Sequence, residues 1–217
     1  MKKTIAVIGL GRFGQAVAQE LLRKGHDVVG MEQDEDIVNA VVRDIPSTII
    51  LDASSRQALE DADLASFDIV VLAIGANQQA SILATLLLKE IGAPHVVAKA
   101  QDPYHEIILK RVGADRVVQP EMEMGTRLAR TLSSPNVLDY MALGEGYSVT
   151  EMKAPRELVG KTLVELDMRR RFGVNVLAVR NGQDINAVPK GDDIVSSGAV
   201  LVIAGRDEDI DRLRSMK

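Results

Sequence analysis

Glycines at positions 9, 11 and 14, in Gly9-Leu10-Gly11-Arg12-Phe13-Gly14, have the G-x-G-x-x-G spacing of a loop that brings main chain against a pyrophosphate. Each would have its own task. Gly9 permits the tight turn, Gly11 lets the backbone approach a phosphate where a Cβ would clash, and Gly14 lets a helix pack closely on a strand. A helix starting here offers unpaired N–H groups and a partial positive charge to an anion. A glycine turn serving structure alone is the alternative. Glu32 follows Gly11 near the offset at which a carboxylate accepts hydrogen bonds from ribose hydroxyls, and its charge would repel a 2′-phosphate, which disfavours NADP. The competing reading of Glu32 is a solvated acid among Asp34, Glu35 and Asp36. Arg12, inside the loop, has a fork that can meet a terminal phosphate bidentately, or it is a surface residue on the first helical turn.

Two further segments could complete such a site: Asp52-Ala53-Ser54 and Ala73-Ile74-Gly75-Ala76-Asn77. Asp52 can accept from an adenine amino group, and the small Ala73 and Gly75 can admit a ribose-phosphate. Ser54 and Asn77 are also good helix N-cap types, the favoured reading for Asn77.

The elements that must position these residues are legible as alternating patterns. Thr4 to Ile8 is a β-branched apolar run ending at Gly9, and Phe13, Val17 and Leu21 then recur at helical spacing. The alternation continues with strands at Asp27–Met31, Ser47–Leu51, Ile69–Ala73, His95–Ala98 and Arg116–Val118, and with helices at Asp34–Arg43, Ser54–Asp61, Gln78–Ile91 and Pro103–Val112. Strands this apolar are buried on both faces, which with intervening helices implies a doubly wound parallel sheet of the Rossmann type. Both ligand segments then fall at the carboxyl edge of the sheet, where open α/β folds bind ligands.

A helix at Glu121–Leu132 stops at Ser133-Ser134-Pro135, and the domain boundary is placed there, dividing the chain into residues 1–134 and 135–217. The second part reads as a small α+β module, with strand Ser148–Lys153, helix Thr162–Arg171, strands Val174–Val179 and Ile185–Val188, strand Ala199–Ala204 and helix Ile210–Met216. Asn181-Gly182 predicts a type I′ hairpin between its middle strands.

Composition excludes several classes. Lys+Arg 26 against Asp+Glu 31 gives a net charge of −5, without the basic excess of a phosphate-backbone reader, so nucleic acid is not the expected partner. The chain has no cysteine, which removes disulfides, thiolate metal sites and a cysteine nucleophile, and allows a reducing, cytosolic setting. Its longest apolar runs fall far short of the roughly 20 residues of a spanning helix. His26, His95 and His105 show no metal-ligand spacing and read as structural. No tyrosine has a lysine four residues later, and no G-x-S-x-G is present. Arg169-Arg170-Arg171 reads as a charged helix end.

The Gly9–Gly14 loop, Ala73-Ile74-Gly75-Ala76-Asn77, Lys99-Ala100-Gln101, and Gly113-Ala114-Asp115-Arg116-Val117-Val118 followed by Pro120-Glu121 together resemble the cytosolic RCK (regulator of potassium conductance) subunits of Ktr-type potassium uptake systems. The resemblance runs over nearly the whole chain and implies an RCK-N (TrkA-N) nucleotide-binding domain followed by an RCK-C (TrkA-C) domain. It implies a homo-oligomer, dimers assembled into an octameric ring, docked at the cytoplasmic face of a membrane potassium transporter subunit and gating ion flux. It implies ATP and ADP as ligands, with NAD(H) used in the related Trk branch. Carried over by position, the loop residues Gly9 to Gly14 with Phe13, then Ala53, the small Ala73 and Gly75 with Ile74 between them, and Lys99 belong to the nucleotide site. Glu32 would hold the ribose, Asp52 face the adenine, Arg12 meet the terminal phosphate and Glu121 help bind a divalent cation. Arg169 and Asn175 match positions that contact cyclic di-AMP in similar proteins; beside them Val174, Val176 and Pro189 can supply apolar contact for its adenines, or else pack the module's own core. The rival reading is a small NAD-dependent oxidoreductase, but residues 135–217 offer no histidine and no paired acid/base motif to move a proton.

Overall fold

The structure is a computed structural model and describes residues 1–75, 77–133 and 136–216. It divides into two compact units, Met1–Glu121 and Met122–Lys217. Ser134 and Pro135, where the sequence places the boundary, lie outside the described residues, as does Ala76.

The first unit alternates β1 (Thr4–Ile8), α1 (Arg12–Arg23), β2 (Asp27–Glu32), α2 (Glu35–Val41), β3 (Thr48–Ile50), α3 (Arg56–Asp61), β4 (Ile69–Leu72), α4 (Gln78–Glu90), β5 (Val96–Lys99), α5 (Pro103–Arg111) and β6 (Arg116–Val118). Its sheet has the order β3-β2-β1-β4-β5-β6 with every pairing parallel, the doubly wound arrangement expected from the sequence. Successive residues of β1 serve opposite faces. Ile5 and Val7 join a core with Ala18 of α1 and Val41 of α2, while Ala6 and Ile8 join one with Leu59, Leu88 and Leu109 of α3, α4 and α5. Both faces are covered, which is why the strand reads as an unbroken apolar run. The order reverses between β1 and β4, and this opens a crevice at their carboxyl ends.

His105 of α5 is 1% exposed and holds the backbone: its Nδ1 accepts from the Gln101 N–H at 3.2 Å. Burial pushes its pKa down, against a smaller upward pull from Asp102. Because the folded value lies below the unfolded one of about 6.5, the unfolded chain takes up a proton that the folded chain refuses, so stability is lost as pH falls below that value. We expect a lower melting temperature at about pH 5.5 than at about pH 7.5. The difference should shrink in His105→Asn, whose Oδ1 can replace Nδ1 as acceptor; scanning calorimetry at the two pH values checks it, and an unchanged difference in the variant would assign the effect to other groups.

Helix α6 (Pro120–Leu132) leads to the second unit, which holds β7 (Val137–Gly144), β8 (Tyr147–Lys153), α7 (Leu163–Leu166), α8 (Met168–Phe172), β9 (Asn175–Asn181), β10 (Asp184–Asn186), β11 (Val200–Arg206) and α9 (Asp207–Arg214). Its antiparallel sheet has the order β10-β9-β11-β8-β7, over a core that includes Met152, Leu166, Leu201, Ile203 and Leu213.

Three local expectations are corrected here. The helix expected over 162–171 is two short helices, because Asp167 adopts a left-handed conformation (φ 43°) after the Thr162–Glu165 capping box has started the first. The hairpin loop falls one residue later than expected. Asp184 pairs with Asn181, so the loop is Gly182-Gln183, and positive φ at Gly182 and not at Gln183 is the pattern of a type II′ turn rather than I′. Strand β7 is an addition: it is an edge strand with mostly exposed side chains and two register shifts against β8, so its sequence lacks the alternation that marks a half-buried strand.

Candidate functional site

The glycine loop is built by three different contacts. Gly9 has φ +91°, donates its N–H to the Met31 carbonyl at 2.8 Å, and approaches β4 so closely that a Cβ would lie 3.0 Å from the Ala73 carbonyl carbon. A Cβ on Gly14 would lie far closer to the Gly9 carbonyl oxygen than van der Waals contact allows. Around Gly11, by contrast, nothing among the described residues lies within 4 Å of a Cβ, and none of their side chains caps α1. Two glycines thus close the turn while the middle one leaves open space at a helix N-terminus, the place for an anion.

That space belongs to a cleft of about 360 Å³ at the carboxyl edge of the sheet. Gly9, Gly11, Glu32, Asp52, Ala53, Ala73, Ile74 and Gly75 all line it. The Glu32 carboxylate is fixed rather than loosely solvated. Oε2 accepts from the Leu10 N–H at 2.8 Å, and Oε1 accepts from the N–H groups of Gln33 at 2.8 Å and Asp34 at 3.3 Å. It thereby ties the end of β2 to the glycine loop. A carboxylate has about four lone-pair sites and three are taken, so acceptor capacity remains for one ribose hydroxyl. Asp52 Oδ1 accepts from the Ser54 hydroxyl at 2.7 Å and the Ser54 N–H at 2.9 Å, bonds that hold its carboxyl below the usual carboxylate range. Asp52 is therefore a fixed acceptor on the rim. Asn77 caps α4, accepting from the Ala80 N–H at 3.0 Å, while Ser55 and not Ser54 caps α3.

Arg12, Phe13, Gly14 and Lys99 are not among the lining residues. Arg12 is the exposed first residue of α1. Lys99 is 9% exposed; its Nζ lies 5.7 Å from the Phe13 ring centre, 3.3 Å from where a Gly75 Cβ would be, and pairs with Glu121. The hydrogen bond from Lys99 lowers the Glu121 pKa. No group of three or more His, Cys, Asp or Glu placed to hold a metal occurs among the described residues.

The sequence reading missed Ile37 and Leu51, which give the cleft apolar wall. The available signal was their position beside the carboxyl ends of β2 and β3, where an apolar residue can face a base.

In the second unit, Arg169 and Asn175 line one groove of about 300 Å³ together with Val174, Val176 and Pro189. The break at Asp167 shapes it, since Asp167 lies in the groove wall between α7 and α8. Arg169 is exposed, whereas Arg170 pairs with Asp167.

The TrkA-N domain family matches residues 5–120 and the TrkA-C domain family residues 149–217. Ktr system potassium uptake protein C of Bacillus subtilis (strain 168) is 41% identical over 212 residues, covering 98% of this chain and 96% of that protein. The chain belongs to the Ktr potassium uptake protein family. Ktr system potassium uptake protein A of the same organism is likewise 41% identical, over 213 residues and 98% of this chain. Among solved structures, the GsuK channel superposes with a TM-score of 0.73 at 16% identity, which shows a shared fold. The Ktr-family chain is covered completely in that comparison and spans 39% of the channel's length. No helix among its described residues is long and apolar enough to cross a membrane.

Proposed function

We propose that this chain is a cytosolic nucleotide-sensing regulatory subunit, not an enzyme, that assembles as a homo-octameric ring of dimers and gates a Ktr-type membrane potassium transporter. The observation that carries the reading is the cleft, in which open space at Gly11 faces a helix N-terminus while Glu32 and Asp52 present fixed acceptors at the same edge. ATP or ADP fits it with phosphates at Gly11, ribose at Glu32 and adenine toward Asp52, Ile37 and Leu51; NAD(H) would use the same first half. Two of the three histidines, His26 and His105, bond to backbone N–H groups, which supports regulation over the oxidoreductase reading. Potassium flux into vesicles holding the transporter subunit, measured with this protein and ATP or ADP, tests the reading: equal flux with either nucleotide and with neither would reject it.

A nucleotide can bias a gate only through differential affinity for its states, and a terminal phosphate reaching Arg12 supplies one. A charge-assisted contact contributes about 1.5–3 kcal/mol. Arg12→Ala is therefore expected to weaken ATP about 10- to 150-fold while leaving ADP nearly unchanged. Calorimetric titration of both ligands checks this, and equal losses would return Arg12 to the surface. Glu121, with one carboxylate to offer, would join a divalent cation held mainly by those phosphates.

In the RCK-C module, the groove of Arg169 and Asn175 would take cyclic di-AMP across a two-fold interface between copies. The pairing of one guanidinium with the apolar Val174, Val176 and Pro189 supports a ligand made of phosphates and bases.

A further inference from the structure

The second unit has another cavity, of about 180 Å³, lined by residues none of which belongs to the groove of Arg169 and Asn175. Arg130 of α6, Tyr140 of β7, Ser148 and Thr150 of β8, and Asp207 and Arg214 of α9 line it. Ser148 and Thr150 are 1% and 2% exposed, yet side chains on alternate residues of a strand are usually apolar where they face a core. Ser148 Oγ donates to Asp207 Oδ1 at 2.7 Å. The Thr150 hydroxyl is buried with no hydrogen-bond partner among the described residues, an arrangement that is costly unless something completes it.

The charges are arranged as facing pairs. Arg130 lies 4.0 Å over the Tyr140 ring and only 3.6 Å from Asp207 Oδ2, a loose ion pair, while Arg214 donates to Asp211, also on the wall, at 2.6 Å. Two guanidinium groups against two carboxylates leave the cavity without net charge. A simple anion would meet Asp207 and Asp211, and a simple cation would meet Arg130 and Arg214. A ligand carrying both charges a few ångströms apart would satisfy both. A cavity of about 180 Å³ suits a ligand of a handful of heavy atoms.

We propose that this cavity is a separate ligand site for a small zwitterion of the α-amino acid type, its carboxylate on the Arg130 and Arg214 side, its ammonium on Asp207, and Thr150 completing the bonding. Neither the nucleotide reading nor the cyclic di-AMP reading is needed for it.

The test uses the full chain, with glycine and L-alanine as probes and acetate and methylammonium as the two half-ligands, followed through the methyl resonances of Thr150, Val137 and Ile210. A saturable shift is expected with the amino acids and at least about tenfold weaker binding of each half-ligand. Thr150→Val keeps the side-chain shape and Asp207→Asn keeps an acceptor for Ser148. Each should weaken the amino acid about tenfold, with the melting temperature and ATP affinity retained as a check on folding. No methyl shift up to about 100 mM amino acid, acetate binding as tightly as L-alanine, or full binding in both variants would each overturn the proposal.

Discussion

Gly11→Val is expected to abolish the rise in melting temperature that saturating ATP or ADP produces, while the nucleotide-free protein melts almost unchanged. The basis is that nothing among the described residues lies within 4 Å of a Cβ at this position, so the substitution adds bulk to the open part of the cleft. Ligand at 100 times Kd stabilises by about 2.7 kcal/mol, or about 5–10 degrees for a chain of this size. Gly14→Ala is the counterpart. Its single added methyl meets the Gly9 carbonyl oxygen, a backbone atom fixed by the turn, so α1 must move off the sheet. Overpacking of this kind costs about 1–3 kcal/mol and more where the neighbour is main chain, so the nucleotide-free protein itself should melt several degrees lower. Thermal denaturation of the three proteins with and without nucleotide separates the two roles. A retained shift in Gly11→Val would move the nucleotide away from this loop.

Arg169→Ala is expected to reduce cyclic di-AMP affinity by about 10²- to 10⁴-fold. The size follows from symmetry: a two-fold ligand between two copies meets the same arginine twice, so one substitution removes two charge-assisted contacts of about 1.5–3 kcal/mol each. Arg169 is exposed, so folding should not suffer. Titration calorimetry of the full chain should give one ligand per two chains. A stoichiometry of one per chain, or a loss of tenfold or less, would reject the two-fold site, and the groove would then serve the module's own packing.

The local pattern of the chain determined more of the first unit than of the second. Apolar strands between helical spacings specify a parallel sheet because both faces must be covered, and β1 to β6 and α1 to α5 stand within a few residues of where periodicity puts them. The glycine spacing, the offset of Glu32 and the position of Asp52 after the third strand singled out Gly9, Gly11, Glu32 and Asp52, which line the cleft because each lies at or just past a strand's carboxyl end and the sheet topology gathers those ends, whereas Gly14 sits on α1 outside the lining. Only the tertiary structure decided what these groups bond to. That Glu32 grips the Leu10 N–H, that Lys99 is turned to Glu121 with its ammonium near the Phe13 ring, and that Thr150, Asp207 and Arg130 wall one cavity depend on register and packing between residues far apart in the chain. The same holds for the break at Asp167 and for β7, whose exposed edge position removes the alternation a sequence would show. Periodicity reports which face an element buries; it does not report which partner it buries that face against, because that is fixed by contacts formed only when the chain has closed on itself.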